Sequence, residues 1–229
     1  MATSIDLSPT TLLPLIGTPR CPTLVDVCTA EDFALDPVLI PGAFRHPFDR
    51  PGDLAAGLPA GPVVVICQKG LKLSHGTAAW LRSEGIDARA LEGGMVAWRA
   101  LPGAPVIAGD IPAPLWVTPD EARPDAAAIR WLIRRWIAPR ARLLRVPPAT
   151  LAGVAQRFAA TPAWPDFATA LDATGLRPPA LARLAATLDA PWLGTALKGM
   201  ALPDADAAEL GLFDALHAGL AAETPAKVA

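Results

Sequence analysis

A single cysteine follows a run of residues that is typical of a buried strand. The run PVVVI at 62–66 is rich in β-branched residues and indicates a strand covered on both faces of a parallel sheet. Cys67 comes next, Gly70 permits a tight turn, and a helix is predicted from about His75 to Gly85. A thiol in this place meets unpaired backbone N–H groups and the positive end of the helix dipole. That environment stabilises a thiolate, so the pattern predicts that Cys67 is a nucleophile, although a lone buried cysteine is often only a small hydrophobic residue.

The segment after Cys67 is predicted to bind anions. A glycine-containing loop lets several backbone amides converge on one point, which suits a thiolate, a persulfide or an oxyanion equally well. Lys69 and Lys72 add positive charge. His75 is an auxiliary candidate, as a proton donor or as a residue that orients the loop, but a place in the first helical turn explains it without any role. The predicted loop comprises Gln68, Lys69, Gly70, Leu71, Lys72, Leu73 and Ser74.

Short alternating elements must position this loop. TLVDV at 23–27 and DARAL at 87–91 are further strand candidates, and a helix is predicted to begin after Thr29 as its N-cap. Another helix opens with GGMVAWRAL. Strands and helices that alternate in short units predict an α/β fold with an open sheet and right-handed crossover connections.

Four motifs in this half of the chain occur in the order found in the rhodanese superfamily. They are LVDV with Asp26, IPGAF at 40–44, the cysteine loop and LEGGMVAW at 91–98. The chain from about 20 to 103 thus resembles a rhodanese-like sulfurtransferase domain, and residues 1–103 are assigned to it. The resemblance implies a small parallel sheet flanked by helices, and transfer of sulfane sulfur through a persulfide on Cys67. It also implies that the loop from Gln68 to Ser74 is the anion cradle, with Asp26 as a second auxiliary candidate.

Two positions depart from the usual pattern of that superfamily. Its members usually carry arginine late in the cysteine loop and directly after the Asp-Val pair, where this chain has Lys72 and Cys28. Lysine cannot hold thiosulfate in a planar bidentate grip, so thiosulfate is expected to be a weak donor and a persulfide or polysulfide a better one. Cys28 could resolve a persulfide as a disulfide, but a packed strand-end thiol is favoured. Phosphatases and arsenate reductases of this fold need arginine where Leu73 stands, so those activities are disfavoured.

The second half of the chain has a mostly helical pattern. The proline-rich residues 104–114 are predicted to be a linker, 115–222 a mostly α-helical domain and 223–229 a disordered tail. Residues 118–121 match a capping box that would start a helix, and RLLRV at 142–146 is a candidate for a lone strand. The apolar face of the first long helix comprises Ile129, Leu132, Ile133 and Trp136. Further helices are predicted at 148–159, 165–174, 178–189 and 204–220.

An ordered series of segments runs through residues 115–220. It consists of LWVTPDE at 115–121, WLIRRWIAP at 131–139, VPP at 146–148, PDFATALDATGL at 165–176 and the closing GLFDALHAGL. This series resembles the C-terminal domain of chromate resistance protein B, and fusion to a rhodanese domain is a pattern seen in chromate-resistance proteins. The resemblance implies a role in the response to chromate or oxidative stress, with regulation of resistance genes as one form of it.

The second half lacks the ligand residues of that family. The cysteine before the WLIRR segment is absent, and ALPDADAAEL at 201–210 stands where histidines would cluster. Only His217 remains, and one histidine cannot build a site. The domain is therefore interpreted as degenerate at its ligand site and as a structural or partner-binding module. Arg130, Arg134 and Arg135 could bind chromate or another oxyanion, although an exposed polar helix face is the favoured explanation.

Composition restricts the remaining function classes. The chain of 229 residues is 52% hydrophobic and 18% charged, with a net charge of −2. Three cysteines without a CxxC pair argue against a disulfide scaffold or a structural zinc site and predict a cytoplasmic location. The apolar runs are too short to cross a membrane. No cofactor or metal is predicted, and the expected partners are small sulfur donors and thiol acceptors, with chromate as a candidate oxyanion.

The arginine segment at 123–145 raises the question of nucleic acid binding. It holds seven arginines, but neighbouring carboxylates partly cancel their field and the apolar face of the same helix must be buried. DNA binding is therefore disfavoured. The first interpretation is a sulfurtransferase linked to chromate or oxidative-stress resistance. The alternative is a non-enzymatic chromate or redox sensor that uses the same anion-binding loop, and an interaction scaffold with an inactive site ranks below both.

Overall fold

A computed structural model of the protein describes residues 5–109, 114–200 and 205–223. The chain divides into two compact units, which are Met1–Ile111 with Trp136–Ala138, and Pro112–Arg135 with Pro139–Ala229. The domain boundaries given above stay predictions, because residues 110–113 of the linker and 224–229 of the tail lie outside the described ranges. No helix within those ranges is long and apolar enough to span a membrane.

A parallel sheet lies at the centre of the first unit. The strands of this unit are β1 (Asp6–Leu7), β2 (Thr23–Asp26), β3 (Val38–Leu39), β4 (Phe44–Arg45), β5 (Val63–Ile66), β6 (Ala88–Leu91) and β7 (Ile107–Ala108). Among the described residues, five of them form the central sheet in the order β1-β6-β5-β2-β4, with every neighbouring pair parallel. The predicted α/β fold with a parallel sheet and flanking helices is confirmed.

Helices connect the strands of this sheet. They are α1 (Pro9–Leu12), α2 (Ala30–Leu35), α3 (Pro51–Gly57), α4 (Lys72–Ser83) and α5 (Gly94–Ala100), with a 3₁₀ turn at Leu13–Leu15. Thr29 caps α2 as predicted, because its hydroxyl accepts a hydrogen bond from the Asp32 N–H at 3.1 Å. The predicted start of α4 at His75 is wrong by one turn. The helix begins at Lys72, because the tight turn is already complete at Gly70 and the His75 N–H donates to the Leu71 carbonyl.

One face of the sheet packs against α3 and α4 and forms a hydrophobic core. Alternate residues of β2 and β5 point to this face, as the two-residue period of a strand requires. The core residues are Val25, Val27, Leu54, Val63, Val65, Cys67, Ala78, Leu81 and Ala88. Cys67 is thus the last member of a buried apolar row, which fixes the position of its sulfur relative to α4.

The beginning of the predicted linker is ordered. Residues 107–108 form β7, which pairs in antiparallel fashion with β3: Val38 lies opposite Ala108, and Leu39 opposite Ile107. The Trp98 indole N–H donates to the Pro105 carbonyl at 2.9 Å and holds the same stretch against α5. The chain therefore remains part of the first unit to at least residue 108.

The second unit combines a small parallel sheet with helices. Its strands are β8 (Leu115–Pro119), β9 (Arg142–Val146) and β10 (Thr161–Pro162), in the order β10-β8-β9. Its helices are α6 (Pro124–Leu132), which continues as a π-helical turn at Ile133–Ile137, α7 (Leu151–Phe158) after a 3₁₀ turn at Pro148–Thr150, α8 (Phe167–Thr174), α9 (Pro179–Thr187), α10 (Pro191–Gly199) and α11 (Ala205–Ala222). The predicted helical character of this region is confirmed.

Three expectations for the second unit are wrong in detail. The predicted lone strand at 142–146 is paired, since β9 lies parallel to β8 over five residue pairs. The capping box at 118–121 does not start a helix: Thr118 and Pro119 end β8, and α6 begins only at Pro124 with Arg123 as N-cap. Helix α10 was not predicted at all. The pairing of β8 with β9 joins segments that are distant in the chain, so a local sequence pattern does not reveal that pairing.

Arg130 of α6 and Arg135 of the π-helical turn that continues it are not part of an exposed polar face. Arg130 is 3% exposed, and its guanidinium holds the Glu209 carboxylate through two hydrogen bonds of 2.9 Å. Arg135 holds Asp214 in the same bidentate way, at 2.9 and 2.8 Å. Both carboxylates lie on α11, and the Trp131 indole N–H also donates to Asp214. Arg130 and Arg135 thus tie α6 and its π-helical turn to α11, which corrects the expectation that these two arginines face solvent, while Arg134 is half-buried.

Candidate active site

The carboxyl ends of β2, β4 and β5 meet at one edge of the central sheet. Asp26 pairs with Ile66, and the Val27 N–H donates to the Ile66 carbonyl at 2.7 Å. The His46 N–H, just beyond β4, donates to the Asp26 carbonyl at 2.9 Å. In open parallel sheets, ligands bind at this edge. The sequence therefore places Cys67 where α/β proteins put their reactive groups.

The thiol of Cys67 lies inside the loop and not on its surface. The residue is 4% exposed, and its S–H donates to the Ser74 hydroxyl with an Sγ–Oγ distance of 3.2 Å. The Ser74 hydroxyl in turn donates to the Leu71 carbonyl at 3.1 Å. Ser74 belongs to the first turn of α4, whose N-terminus has no side-chain cap. The sulfur therefore lies beside a hydroxyl and near helix N–H groups that other side chains leave unoccupied.

Two glycines lock the loop against the start of α5. The Met95 and Val96 N–H groups donate to the Cys67 and Gln68 carbonyls, each at 3.0 Å. Gly94 has φ +57°, and a Cβ there would overlap the Cys67 carbonyl and the Gly70 nitrogen. Gly70 has φ +64°, and a Cβ there would lie 2.6 Å from the Gly94 nitrogen. Only glycine fits such a close approach of two backbones, which gives the EGG motif its physical meaning.

The remaining loop residues divide into buried and exposed groups. Gly70 and Ser74 are buried, and Leu73 packs against the core of the first unit. Lys69, Leu71 and Lys72 are exposed, Leu71 by 59%. The two lysines thus act on the sulfur through solvent, where screening weakens their effect. The predicted loop is contiguous in space around Cys67, and its role in binding anions stays a prediction.

The two auxiliary candidates lie on different sides of this loop. His75 turns toward β1, where its Nε2 lies 2.8 Å from the Asp6 carboxylate. Asp26 is 1% exposed and accepts hydrogen bonds from both the N–H and the S–H of Cys28, at 3.1 and 3.3 Å. Burial raises the pKa of Asp26, while the Cys28 hydrogen bonds and the Arg45 charge oppose that rise. Asp26 therefore holds the turn beside Cys67, and His75 pairs with Asp6.

Cys28 is held as a thiol by its surroundings. Burial raises its pKa, and the charge of Asp26 and the hydrogen bond to that carboxylate raise it further, as does the nearby Cys67. Its S–H donates to the Asp26 carboxylate, and Cys28 is not among the core residues that include Val27 and Cys67. The Cys28 thiol is thus bound to Asp26 and disfavours ionisation, which agrees with its interpretation as a packed thiol.

No sequence pattern singled out Arg45, yet its guanidinium lies beside Cys28 and Asp26. Its Nη2 donates to the Cys28 and Thr29 carbonyls at 3.0 and 3.4 Å, and its Nε lies 3.5 Å from Asp26. The guanidinium also stacks over the Phe33 ring, 3.9 Å from its centroid. The one available sequence signal was the place of Arg45 directly after IPGAF. That place puts Arg45 at the end of β4, which lies beside β2 in the parallel sheet.

An open cleft adjoins Arg45 at the same edge of the sheet. Its volume is about 530 Å³, and its lining includes Cys28, Glu31, Arg45, His46, Phe48 and Asp49. The cleft lies between the chain that leaves β2 and the chain that leaves β4. Cys28 forms part of the cleft wall, and Cys67 lies near enough to Cys28 for its charge to raise the pKa of the Cys28 thiol, so the cleft lies on the Cys28 side of the Cys67 sulfur.

Comparison with protein families identifies the first unit. The family model of the rhodanese-like domain matches residues 8–101, a range that includes the central sheet, Asp26 and the whole cysteine loop. Residues 8–101 therefore form a rhodanese-like domain. The first unit has a fold of the sulfurtransferase type, and the expectation drawn from the four motifs is confirmed at this level.

Solved structures include similar chains. A rhodanese-like domain protein from Staphylococcus aureus is 30% identical, over 41% of this chain and 89% of that chain, with a TM-score of 0.36. A rhodanese homolog from Thermus thermophilus is 32% identical, over 39% and 94%, with a TM-score of 0.33. Thiosulfate sulfurtransferase from Pseudomonas aeruginosa is 26% identical, over 47% of this chain but only 20% of that chain, with a TM-score of 0.40. No curated protein matches the chain. The resemblance of residues 115–220 to chromate resistance protein B stays a prediction.

Proposed function

We propose that the first unit is a sulfurtransferase that carries sulfane sulfur on Cys67. The observation that supports this most is the placement of the Cys67 thiol, at the end of β5 and inside a loop held by Ser74 and by the backbone of Gly94. In the first step the Cys67 thiolate attacks a sulfane sulfur, the donor leaves with its electron pair, and a persulfide forms. In the second step an acceptor thiolate attacks the outer sulfur, and Cys67 leaves as a thiolate.

The surroundings of Cys67 suit both steps. The Ser74 hydroxyl can rotate to donate to a thiolate or a persulfide anion, and the uncapped first turn of α4 offers N–H groups to the same charge. Because the sulfur is buried, these donors act in a medium of low dielectric constant, where each of them counts for more than in water. His75 and Asp26 are not needed for proton transfer in this scheme, since thiolates enter and leave.

Turnover tests the proposal. We expect the protein to speed sulfur transfer from polysulfide to cyanide above the uncatalysed background, with Cys67→Ser at the background rate. Cys21→Ser serves as the control, because that residue also carries a free thiol but lies in a loop outside the site. A Cys67→Ser variant that keeps the wild-type rate would disprove the assignment.

We expect Lys72 to make thiosulfate a weak sulfur donor for this protein. Lysine offers a single point charge, whereas arginine at this place would bind thiosulfate through two parallel hydrogen bonds. We expect Lys72→Arg to raise kcat/KM for thiosulfate by about tenfold, the effect of one additional charge-assisted hydrogen bond. Lys69→Arg is the matched control, because Lys69 is also an exposed lysine and is closer to Cys67 along the chain, and it should change little. Equal gains in both variants would show a general charge effect and contradict this specific role.

The link to chromate or oxidative-stress resistance, and a cytoplasmic location, belong to the same proposal. The resemblance of residues 115–220 supports the link, and the free thiols of Cys21, Cys28 and Cys67 agree with a reducing compartment. Arg134, in the π-helical turn that continues α6, is the arginine we propose for an oxyanion, because it lines a small cavity of about 30 Å³ while Arg130 and Arg135 are bound to carboxylates. A chromate titration of the wild type against Arg134→Gln tests this part, and identical curves would remove Arg134 from it.

A further inference from the structure

The open cleft beside Arg45 is larger than a small inorganic donor requires. Its volume of about 530 Å³ falls in the range of sites that bind small organic molecules. Thiosulfate would fill only a small part of it. The exposed Phe48 ring adds an apolar wall, which an inorganic anion does not need.

Arg45 is held in place yet remains accessible from this cleft. Its contacts to the Cys28 and Thr29 carbonyls, to Asp26 and to the Phe33 ring fix the guanidinium, while 34% of the side chain stays exposed. An arginine that is already ordered loses little conformational entropy when it binds a ligand. A planar guanidinium is the group that best matches a carboxylate.

Two carboxylates line the same cleft. Glu31 lies on the α2 side and Asp49 on the side of the chain that leaves β4. Hydrogen bonds from its own backbone N–H and from Thr29 lower the pKa of Glu31, so its carboxylate is charged at neutral pH. The cleft thus presents one ordered cation and two anions, a pattern that complements a zwitterion and not a simple anion.

We infer that this cleft binds the sulfur acceptor, and that the acceptor is a small amino-acid-like thiol whose carboxylate meets Arg45 and whose ammonium group meets Glu31 or Asp49. The inference rests on the proposed function, because it assigns the acceptor of the Cys67 persulfide. In the transfer, the acceptor thiolate forms a bond to the outer sulfur of that persulfide and the bond to the Cys67 sulfur breaks. Cys67 keeps the electron pair, so the acceptor leaves as a persulfide and no external oxidant or reductant is needed.

Four small thiols separate the contributions of the two charges. Cysteine carries both a carboxylate and an ammonium group, 3-mercaptopropionate only the carboxylate, cysteamine only the ammonium group, and 2-mercaptoethanol neither. The protein is first loaded with polysulfide, and sulfur transfer to each thiol is measured as kcat/KM per thiolate. For the wild type we expect cysteine to be the best acceptor and 2-mercaptoethanol the poorest, with a difference of about tenfold or more.

Variants then assign each preference to its residues. Arg45→Gln should remove the advantage of the two carboxylate-bearing thiols and leave cysteamine and 2-mercaptoethanol unchanged, while Arg45→Lys should keep part of it. The double variant Glu31→Gln/Asp49→Asn changes only exposed side chains and should remove the advantage of the ammonium group. This double variant also keeps the inference testable if Arg45→Gln fails to fold. Phe158→Ala, an exposed aromatic change in the second unit, is the control and should leave all four values unaltered.

The outcomes distinguish a failure of this inference from a failure of the proposed sulfurtransferase function on which it rests. An equal loss with all four thiols in Arg45→Gln would mean that Arg45 only supports the turn at Cys28, and it would overturn the inference. Equal wild-type values for the four thiols would overturn it as well. In both cases a mass measurement would still show sulfur on Cys67. If the wild type takes up no sulfur at Cys67, the proposed function itself fails.

Discussion

Gly94→Ala is expected to destabilise the first unit and to abolish most sulfur uptake by Cys67. The added Cβ would overlap the Cys67 carbonyl and the Gly70 nitrogen, and it would lie 2.8 Å from the Gln68 carbonyl. These are backbone atoms, so no side chain can rotate away to make room. The residue would also need φ +57°, a left-handed conformation that costs alanine free energy. Together these effects should lower the free energy of unfolding by about 2–4 kcal/mol.

A second glycine in the same region is the control for this prediction. Gly76 is exposed inside α4, and a Cβ there would meet nothing within 4 Å. Gly76→Ala should therefore stabilise the unit by up to about 1 kcal/mol, through helix propensity alone. Urea unfolding gives the stabilities, and the rate of Cys67 alkylation reports the state of the loop. A Gly94→Ala protein with wild-type stability and wild-type alkylation would contradict the interlocked arrangement of loop and helix.

Glu209→Ala is the other change with a large expected effect. The Arg130 guanidinium lies buried against this carboxylate, and its remaining partners are the Pro119 carbonyl at 2.8 Å and the Glu121 carbonyl at 3.4 Å. Removal of Glu209 leaves a buried cation that carbonyl dipoles only partly compensate. We expect a loss of about 3–5 kcal/mol in the free energy of unfolding, measured by urea denaturation.

Two companion variants separate charge from packing. Asp172 pairs with Arg177 on the surface of the same unit, with side chains 80% and 63% exposed, so Asp172→Ala should cost less than about 1 kcal/mol. The double variant Arg130→Met/Glu209→Leu removes both charges from the buried site and should recover most of the lost stability. Equal losses from Glu209→Ala and Asp172→Ala would show that the α6–α11 pair is not held in a buried environment.

The first unit could be predicted because its signals are local. The β-branched run of β5, the helix cap at Thr29 and the position of Cys67 each depend on a few neighbouring residues, and the structure has all three where the sequence placed them. The start of α4 could not be predicted to better than one turn. It depends on hydrogen bonds that the turn at Gly70 makes, and neither Lys72 nor Leu73 is a typical N-terminal helix residue.

Interactions between distant segments could not be predicted. The partners of Arg130 and Arg135 lie 79 residues further along, on α11, so the arginines looked like a solvated face. The same distance effect concealed the pairing of β8 with β9 and the contact of Arg45 with Cys28. Carboxylates bind four of the seven arginines of the segment, Arg123, Arg130, Arg135 and Arg145, which reduces the charge that remains for phosphates. The expectation that the protein does not bind DNA remains a prediction, and the ion pairs give it a physical reason.

The central claim is that Cys67 carries sulfur, and the mass of the loaded protein tests it most directly. After treatment with polysulfide and removal of the excess, we expect a gain of about 32 Da per persulfide sulfur, mapped by peptide analysis to the segment that contains Cys67. Reduction should remove it, Cys67→Ser should not acquire it, and Cys21→Ser and Cys28→Ser should acquire it as the wild type does. Sulfur that maps mainly to Cys28, or that loads equally well onto the Cys67→Ser variant, would contradict the account.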